Sequence, residues 1–277
     1  MTIAITGATG QLGRLAIAAL KARGATPIAL VRDTAKAADL GVPARAFDYR
    51  TADAAALAGV ETLVLISSND FDDRAGQHRK VIAAAREAGV GRIIYTSILK
   101  GDASPMILAQ DHIATEAAIR DSGIAATILR NGWYTENYTG ALAAALEHGA
   151  ILGAAGEGRV STAARKDYAE AIAVTAIDAG HAGKVYELAG DEGYTLAELA
   201  AEVALQSGKP VGFVNLPQAE YAKALEGFGL PAGFAAVLAD SDARAGEGAL
   251  FDDSRILSRL IGRATTPMAA TVREALA

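Results

Sequence analysis

The sequence predicts an α/β protein with a doubly wound, largely parallel sheet and a smaller, mostly helical C-terminal lobe. Three observations predict it. Short aliphatic runs alternate with helical stretches over the first 130 residues, the first run passes directly into a glycine turn, and the rhythm breaks after Leu129.

The aliphatic runs are Ile3 to Thr6, Pro27 to Val31, Ala44 to Phe47, Thr62 to Ile66, Arg92 to Thr96 and Ala125 to Leu129. Between them, apolar residues recur at spacings of three and four, as in Leu12, Leu15, Ala16, Ala19 and Leu20, or Val81, Ile82 and Ala85. That is the period of one helix face. Strands alternating with helices make βαβ units, and right-handed crossovers place the helices on both faces of a parallel sheet. Gly24, Gly89 and Gly123 follow the helices, where a residue that tolerates positive φ is favoured. Beyond Leu129 the sequence predicts a helix around Asp167 to Asp178, a strand at Lys184 to Leu188, and helices starting near Thr195, Pro217, Pro231 and Asp253. The stretch Ile151 to Val160 is glycine-rich with little apolar periodicity.

Composition excludes several functions. The net charge is −6 and the pI about 5.3, so the clustered cations that nucleic acid or anionic lipid requires are absent. There is no cysteine, which removes disulfides and thiolate zinc sites and accords with a reducing, cytoplasmic setting. The four histidines, His78, His112, His148 and His181, are too widely spaced for a local metal motif. No apolar run approaches the roughly 18 residues that span a bilayer, and residues 1–6 read as a strand without a leader's basic start.

Chemistry enters at Thr6-Gly7-Ala8-Thr9-Gly10-Gln11-Leu12-Gly13. The G-x-x-G-x-x-G spacing lies between the first strand and the first helix. There a tight turn, close approach of the backbone to a pyrophosphate, and close helix packing each favour a residue without Cβ. The helix N-terminus adds oriented N–H groups and partial positive charge. This is a Rossmann-type signature, so residues 1–130 are expected to bind dinucleotide and residues 131–277 to form a substrate lobe with segments returning to the main sheet.

Arg32 ends the second strand, where a guanidinium can clamp a 2′-phosphate, and this favours NADPH. Asp33 follows and can serve a ribose instead. Asp48, after the third strand, stands where a carboxylate meets an adenine amino group or caps the next segment. Ser67, Ser68 and Thr96 lie at carboxyl ends of strands, facing cofactor or completing turns.

The glycine turn, Val31-Arg32, Leu65-Ile66-Ser67-Ser68, Tyr95-Thr96-Ser97 and Leu129-Arg130-Asn131-Gly132-Trp133-Tyr134-Thr135-Glu136-Asn137-Tyr138 together resemble the NmrA-like group of atypical short-chain dehydrogenases. Within it the chain is most similar to the bacterial NADPH:quinone oxidoreductase type, with triphenylmethane reductases as near relatives. The resemblance implies hydride transfer from NADPH to a quinone without flavin. It implies cofactor contacts from Thr6 to Leu12 and from Arg32, Ser67, Asn131, Trp133, Tyr134, Asn137, Tyr138 and Arg165. Arg165 is otherwise an ordinary exposed arginine. Trp133, Tyr134 and Tyr138 are expected to wall a flat acceptor or to pack the core, and Asn131 and Asn137 offer amides to cofactor or carbonyl.

The usual acid pair of these dehydrogenases, Tyr with Lys four residues later, is missing. Leu108 and His112 occupy the corresponding positions. A quinone is a strong hydride acceptor whose product can be protonated by water, so orientation alone can suffice. His112, Tyr134 and Asn137 are the candidate catalytic side chains, with a helix-face role for His112 as the alternative. The expected partner is a small aromatic acceptor, with no nucleic acid and no membrane, and the expected assembly is a homodimer. A triphenylmethane dye as acceptor and a non-catalytic NADP-binding sensor are the competing readings.

Overall fold

The computed structural model describes all 277 residues. In chain order its elements are β1 (Ile3–Thr6), α1 (Gln11–Ala22), β2 (Ile28–Val31), β3 (Ala44–Ala46), β4 (Thr62–Leu65), α2 (Arg74–Glu87), β5 (Arg92–Ile98), α3 (Ala109–Ser122) and β6 (Ala125–Asn131). There follow α4 (Thr135–Thr139), α5 (Leu142–His148), β7 (Ala150–Gly153), α6 (Arg165–Ile177), β8 (Val185–Leu188), α7 (Leu196–Ser207), β9 (Gly212–Asn215), α8 (Gln218–Gly227), α9 (Ala232–Gly246), α10 (Ile256–Ile261) and α11 (Met268–Leu276).

Seven strands form one sheet in the order β3-β2-β1-β4-β5-β6-β8, and β7 pairs with β9 in a separate ribbon. The pairs from β3 across to β6 are parallel, with Ile5 beside Ala29 and Val64, and Ile94 beside Thr127. Reversal of strand order between β1 and β4 makes the switch point at which an open α/β sheet binds ligands. Every residue of β1, β2, β4 and β5 is buried, as expected of parallel strands covered on both faces.

The chain divides into two compact units. The first comprises residues 1–101, 111–131 and 165–186; the second comprises 102–110, 132–164 and 187–277. In the first, Ala4, Leu30, Leu63, Leu65, Ile93 and Tyr95 bury one sheet face against Val81, Ile82 and Ala85 of α2 and Ile119 of α3. The alternate residues Ile5, Ala29, Val64 and Ile94 are buried as well, and α6 packs on β4, β5 and β6 and against α1. Arg92 closes the C-terminus of α6, donating to Asp178 O at 2.9 Å and Ala176 O at 2.8 Å. A cation is favoured there because the last carbonyls carry the helix's negative end.

In the second unit, local sequence sets the helix starts. Thr195 and Glu198 form a capping box on α7, and Pro217, Pro231 and Pro267 directly precede α8, α9 and α11. The last helical turn of the sequence reading starts later than expected, at Ile256, because Arg255 holds a left-handed φ of 56° immediately before it. The glycine-rich stretch from Ile151 overlaps β7, which is too short to carry a periodic signal. Backbones cross closely at Gly190, where a Cβ would lie 2.0 Å from the Thr162 carbonyl oxygen. No helix is long and apolar enough to cross a membrane.

Two glycines give opposite expectations. Gly190→Ala overpacks backbone and should cost about 1–3 kcal/mol, whereas Gly233→Ala, in open space within α9, should gain up to about 1 kcal/mol. Thermal denaturation of the two variants checks this; a lowered melting temperature for both would contradict the assignment of Gly233.

Candidate dinucleotide site

The glycine turn is built by sterics. Gly7 has φ of 61°, a left-handed conformation that favours glycine, and its carbonyl accepts from Gly10 N at 2.9 Å. A Cβ on Gly13 would stand 2.3 Å from that same carbonyl oxygen and 2.8 Å from Ala8 Cα. The third glycine therefore lets α1 lie directly against the turn. Gly10 N-caps α1 without a side-chain hydrogen bond, and Gly10 and Gln11 are exposed. The first N–H groups of a twelve-residue helix thus face outward with no internal acceptor. Leu12 and Ala8 are buried beneath them.

Neighbouring side chains brace the turn. The Thr6 hydroxyl donates to Val64 O at 3.2 Å and accepts from Ile66 N at 3.0 Å, tying β1 to β4. Tyr49 donates to Ile66 O at 2.7 Å. Arg14 donates to the Thr9 carbonyl at 3.1 Å and pairs with Asp39 at 2.6 Å, linking the turn to the 3-10 segment Thr34–Leu40 that follows β2.

Arg32 is exposed at the end of β2, while Asp33 spends its carboxylate on Ala35 N at 3.0 Å as the cap of that segment. Both residues are exposed, and the cap bond of Asp33 uses one of its two carboxylate oxygens. Asp48 accepts from Arg50 N at 2.9 Å in a local turn. At the ends of β4 and β5, the Thr96 hydroxyl accepts from Ser67 N at 2.9 Å. Ser68 donates from its backbone to His78 Nε2 at 2.9 Å and from its hydroxyl to Gln77 Oε1 at 3.0 Å.

Asn131 ends β6 and is 3 % exposed, and neither its amide nitrogen nor its amide oxygen has a hydrogen-bond partner. Folded proteins pair nearly all their buried polar groups, so an unpaired donor and acceptor on one amide point to an absent complementary group such as a carboxamide. The uncapped turn, the exposed Arg32 and this buried amide together have the chemistry that a phosphorylated dinucleotide such as NADPH requires.

His112 lies buried in α3 with Nδ1 2.8 Å from the Tyr95 hydroxyl. Because His78 Nε2 accepts from Ser68, its Nδ1 carries the proton and donates to the Thr115 hydroxyl at 2.9 Å. Thr115 in turn donates to Asp111 O at 2.7 Å. Burial, reinforced by the Arg74 charge, pushes His78 down to about 3. The same causes, with His78 added, hold His112 well below the usual imidazole range. Burial raises the Tyr95 phenol. The pair is neutral on both sides.

In the second unit, Trp133 and Tyr134 are half-buried in a loop fixed by Ala163, which donates to Trp133 O at 3.2 Å and accepts from Thr135 N at 3.1 Å. Asn137 is exposed on α4, and Tyr138 donates to the buried Asp242 at 3.3 Å. Burial raises the Asp242 carboxyl. Leu108 is half-buried, and Arg165, in the first unit, is the first residue of α6. Sequence reasoning missed Arg14, Tyr49, Arg74 and Gln77, and gave Tyr95 no role of its own. Only Gln77-His78, early in a helix after a switch-point strand, carried a readable signal.

The parallel sheet, its switch point and the uncapped glycine turn define a Rossmann-type dinucleotide-binding protein. The sequence pattern of the NmrA-like family matches residues 1–272, and the chain belongs to that family. It is 54% identical over 277 residues to quinone oxidoreductase 2 of Escherichia coli strain K12, covering 98% of this chain and 97% of that one. The crystal structure of NADPH-dependent quinone oxidoreductase from Escherichia coli complexed with NADPH superposes with a TM-score of 0.95 at 52% identity, covering 100% of both chains. Triphenylmethane reductase of Citrobacter sp. complexed with NADP(H) gives 0.93 at 38% identity, covering 99% of this chain and 100% of that one.

The histidine assignment is testable. In ring-proton NMR titrations, His78 and His112 should keep neutral shifts down to pH 5. Their folded affinity for protons lies below the unfolded value near 6.5, so their neutral burial stabilises fully above about pH 7 and is lost progressively as pH falls. The urea midpoint should fall accordingly between pH 7 and pH 5. Titration of either ring near pH 6.5 would contradict the geometry.

Proposed function

We propose that the chain is an NADPH-dependent quinone reductase that passes hydride directly from bound NADPH to a quinone, without flavin. One observation carries this: an intact, ligand-ready dinucleotide turn in a chain 54% identical from end to end to a quinone oxidoreductase.

NADPH, when bound, supplies the hydride. The protein's part is to hold and orient. The outward N–H groups of α1 take the pyrophosphate, with the helix's positive end beside it. Arg32 takes the 2′-phosphate, for which an exposed guanidinium is the fitting partner. Asn131 meets the nicotinamide carboxamide with one donor and one acceptor. Ser67, Ser68 and Thr96 line the strand ends. His112, held neutral and bonded to Tyr95, acts as a positioning group and not as an imidazolium acid.

Lacking the Tyr and Lys of ordinary short-chain dehydrogenases, the chain has no titratable proton donor tuned for ketones. That favours acceptors whose reduced anion persists until water protonates it. Trp133, Tyr134, Asn137, Tyr138 and Arg165 stay in the proposal as ligand contacts on their chemistry and on family likeness. A cytoplasmic setting and a homodimer are likewise proposed, the latter checked by light scattering on the purified protein.

Mixed with NADPH and 1,4-benzoquinone or 1,4-naphthoquinone, the protein should consume nicotinamide absorbance faster than the uncatalysed reaction, and more efficiently than with a triphenylmethane dye. No rate above background would refute the reading. Arg32→Ala should weaken NADPH binding by about tenfold or more, the value of one charge-assisted contact, and NADH binding by less than about twofold. Equal losses would show that Arg32 does not read the 2′-phosphate.

A further inference from the structure

Arg74 stands in a place that nothing local explains. It is the first residue of α2, a fourteen-residue helix whose N-terminus carries partial positive charge, and it is 4 % exposed. A cation is disfavoured by the helix there and disfavoured again by burial. The guanidinium gains little in return. Its Nε donates to Ser68 O at 2.7 Å, while Nη1 has neither a protein partner nor solvent.

No carboxylate forms an ion pair with it. Asp70 is taken by Arg50 at 2.8 Å and by Gln77 at 2.7 Å. The Asp73 side chain folds over Gly76 and caps nothing. Asp111 acts on Arg74 only through space. What covers the guanidinium is an aromatic ring: Phe71 lies with its centroid 4.3 Å from Cζ and is itself 38 % exposed.

Its surroundings belong to the switch point. Arg74 is tied through Ser68 to the end of β4, and its charge is felt by Tyr95, His78 and His112. The neighbouring rings are neutral, so Arg74 is the fixed positive charge of this cluster.

We propose that Arg74 Nη1 binds the oxygen that becomes anionic when the acceptor is reduced, making Arg74 a catalytic residue that stabilises the quinol monoanion. The inference rests on the quinone-reductase reading. In the step, the C–H bond of the dihydronicotinamide breaks and the quinone gains a hydride. An O–H bond forms at one carbonyl oxygen as the quinone ring becomes aromatic, the other oxygen holds the negative charge against Arg74, and NADP+ remains. Water then supplies the proton that gives the neutral quinol. A preformed donor aimed at developing charge in a water-poor site is worth far more than the same donor in water.

The experiment uses the protein saturated with NADP+, which cannot reduce the ligand, and measures binding calorimetrically. The probes are 2-hydroxy-1,4-naphthoquinone, an anion at neutral pH, and neutral 1,4-naphthoquinone. Arg74→Met should weaken the anion by about tenfold or more and change the neutral quinone and NADP+ by less than about threefold. Arg74→Lys should recover part of the loss. Removing an unsatisfied buried cation should leave the melting temperature unchanged or higher, whereas a merely structural arginine would lower it. With NADPH present, turnover of 1,4-naphthoquinone by Arg74→Met should fall at least about tenfold.

Equal weakening of both quinones, or unchanged anion binding, overturns the proposal. Loss of NADP+ affinity also overturns it, by assigning the anion to a cofactor phosphate. If anion binding depends on Arg74 in a wild type that reduces no quinone, the site stands and the reductase reading alone falls.

Discussion

The nucleotide chemistry of the first unit depends on one close approach, that of the Gly7 carbonyl to the start of α1. The oxygen accepts from Gly10 N, and a Cβ at Gly13 would come within 2.3 Å of it. Sterics alone therefore demand glycine at one position for φ and at another for contact. The helix is drawn in until its first N–H groups sit at the mouth of β1, and no side chain caps them. Thr6, Tyr49 and Arg14 hold this arrangement from three sides without occupying it. A helix end that is rigid, positive and unfilled suits a pyrophosphate.

The two helices that open beside the switch point use their N-termini in opposite ways. That of α1 is uncapped and exposed, and that of α2 carries a buried arginine. Around Arg74 the structure keeps other groups neutral. His78 donates from Nδ1 and accepts at Nε2, and His112 is bonded to a phenol whose ionisation burial opposes. Two imidazoliums here would add charge of the same sign beside a guanidinium in a region of little water, so desolvation and Arg74 act on them in the same direction.

Much of this was legible in the sequence, and the rest was hidden for identifiable reasons. All seven strands of the main sheet were readable, and four of them, β1, β2, β4 and β5, because fully buried parallel strands leave continuous aliphatic runs. β5 and β6 extend to Ile98 and Asn131, past the runs, because backbone pairing between them continues where the side chains turn polar. β7 and β9 are four residues each, the first half-buried and the second largely exposed, so period-2 patterning had no room to show. The glycine turn and Arg32 were visible as a motif with its strand and helix. The capping by Asp33 depends on the turn that follows and became clear only in three dimensions. Tyr95 read as one member of a β5 motif; its hydroxyl reaches His112 seventeen positions away because strand and helix meet across the sheet face.

That last contact bears on the chemistry. The sequence lacks a tyrosine on the helix one turn before His112, yet the fold brings one to the same histidine from β5. Its environment makes it a poor substitute, since burial raises the phenol and lowers the imidazole, so each holds its present protonation state. A ketone demands a proton as the hydride arrives, and this pair resists giving one. A quinone demands only that negative charge be tolerated for a moment. Neutral rings cannot meet that need, but a fixed guanidinium can, because it stabilises charge without itself titrating. The buried cation and the neutral histidines therefore follow from the same choice of acceptor.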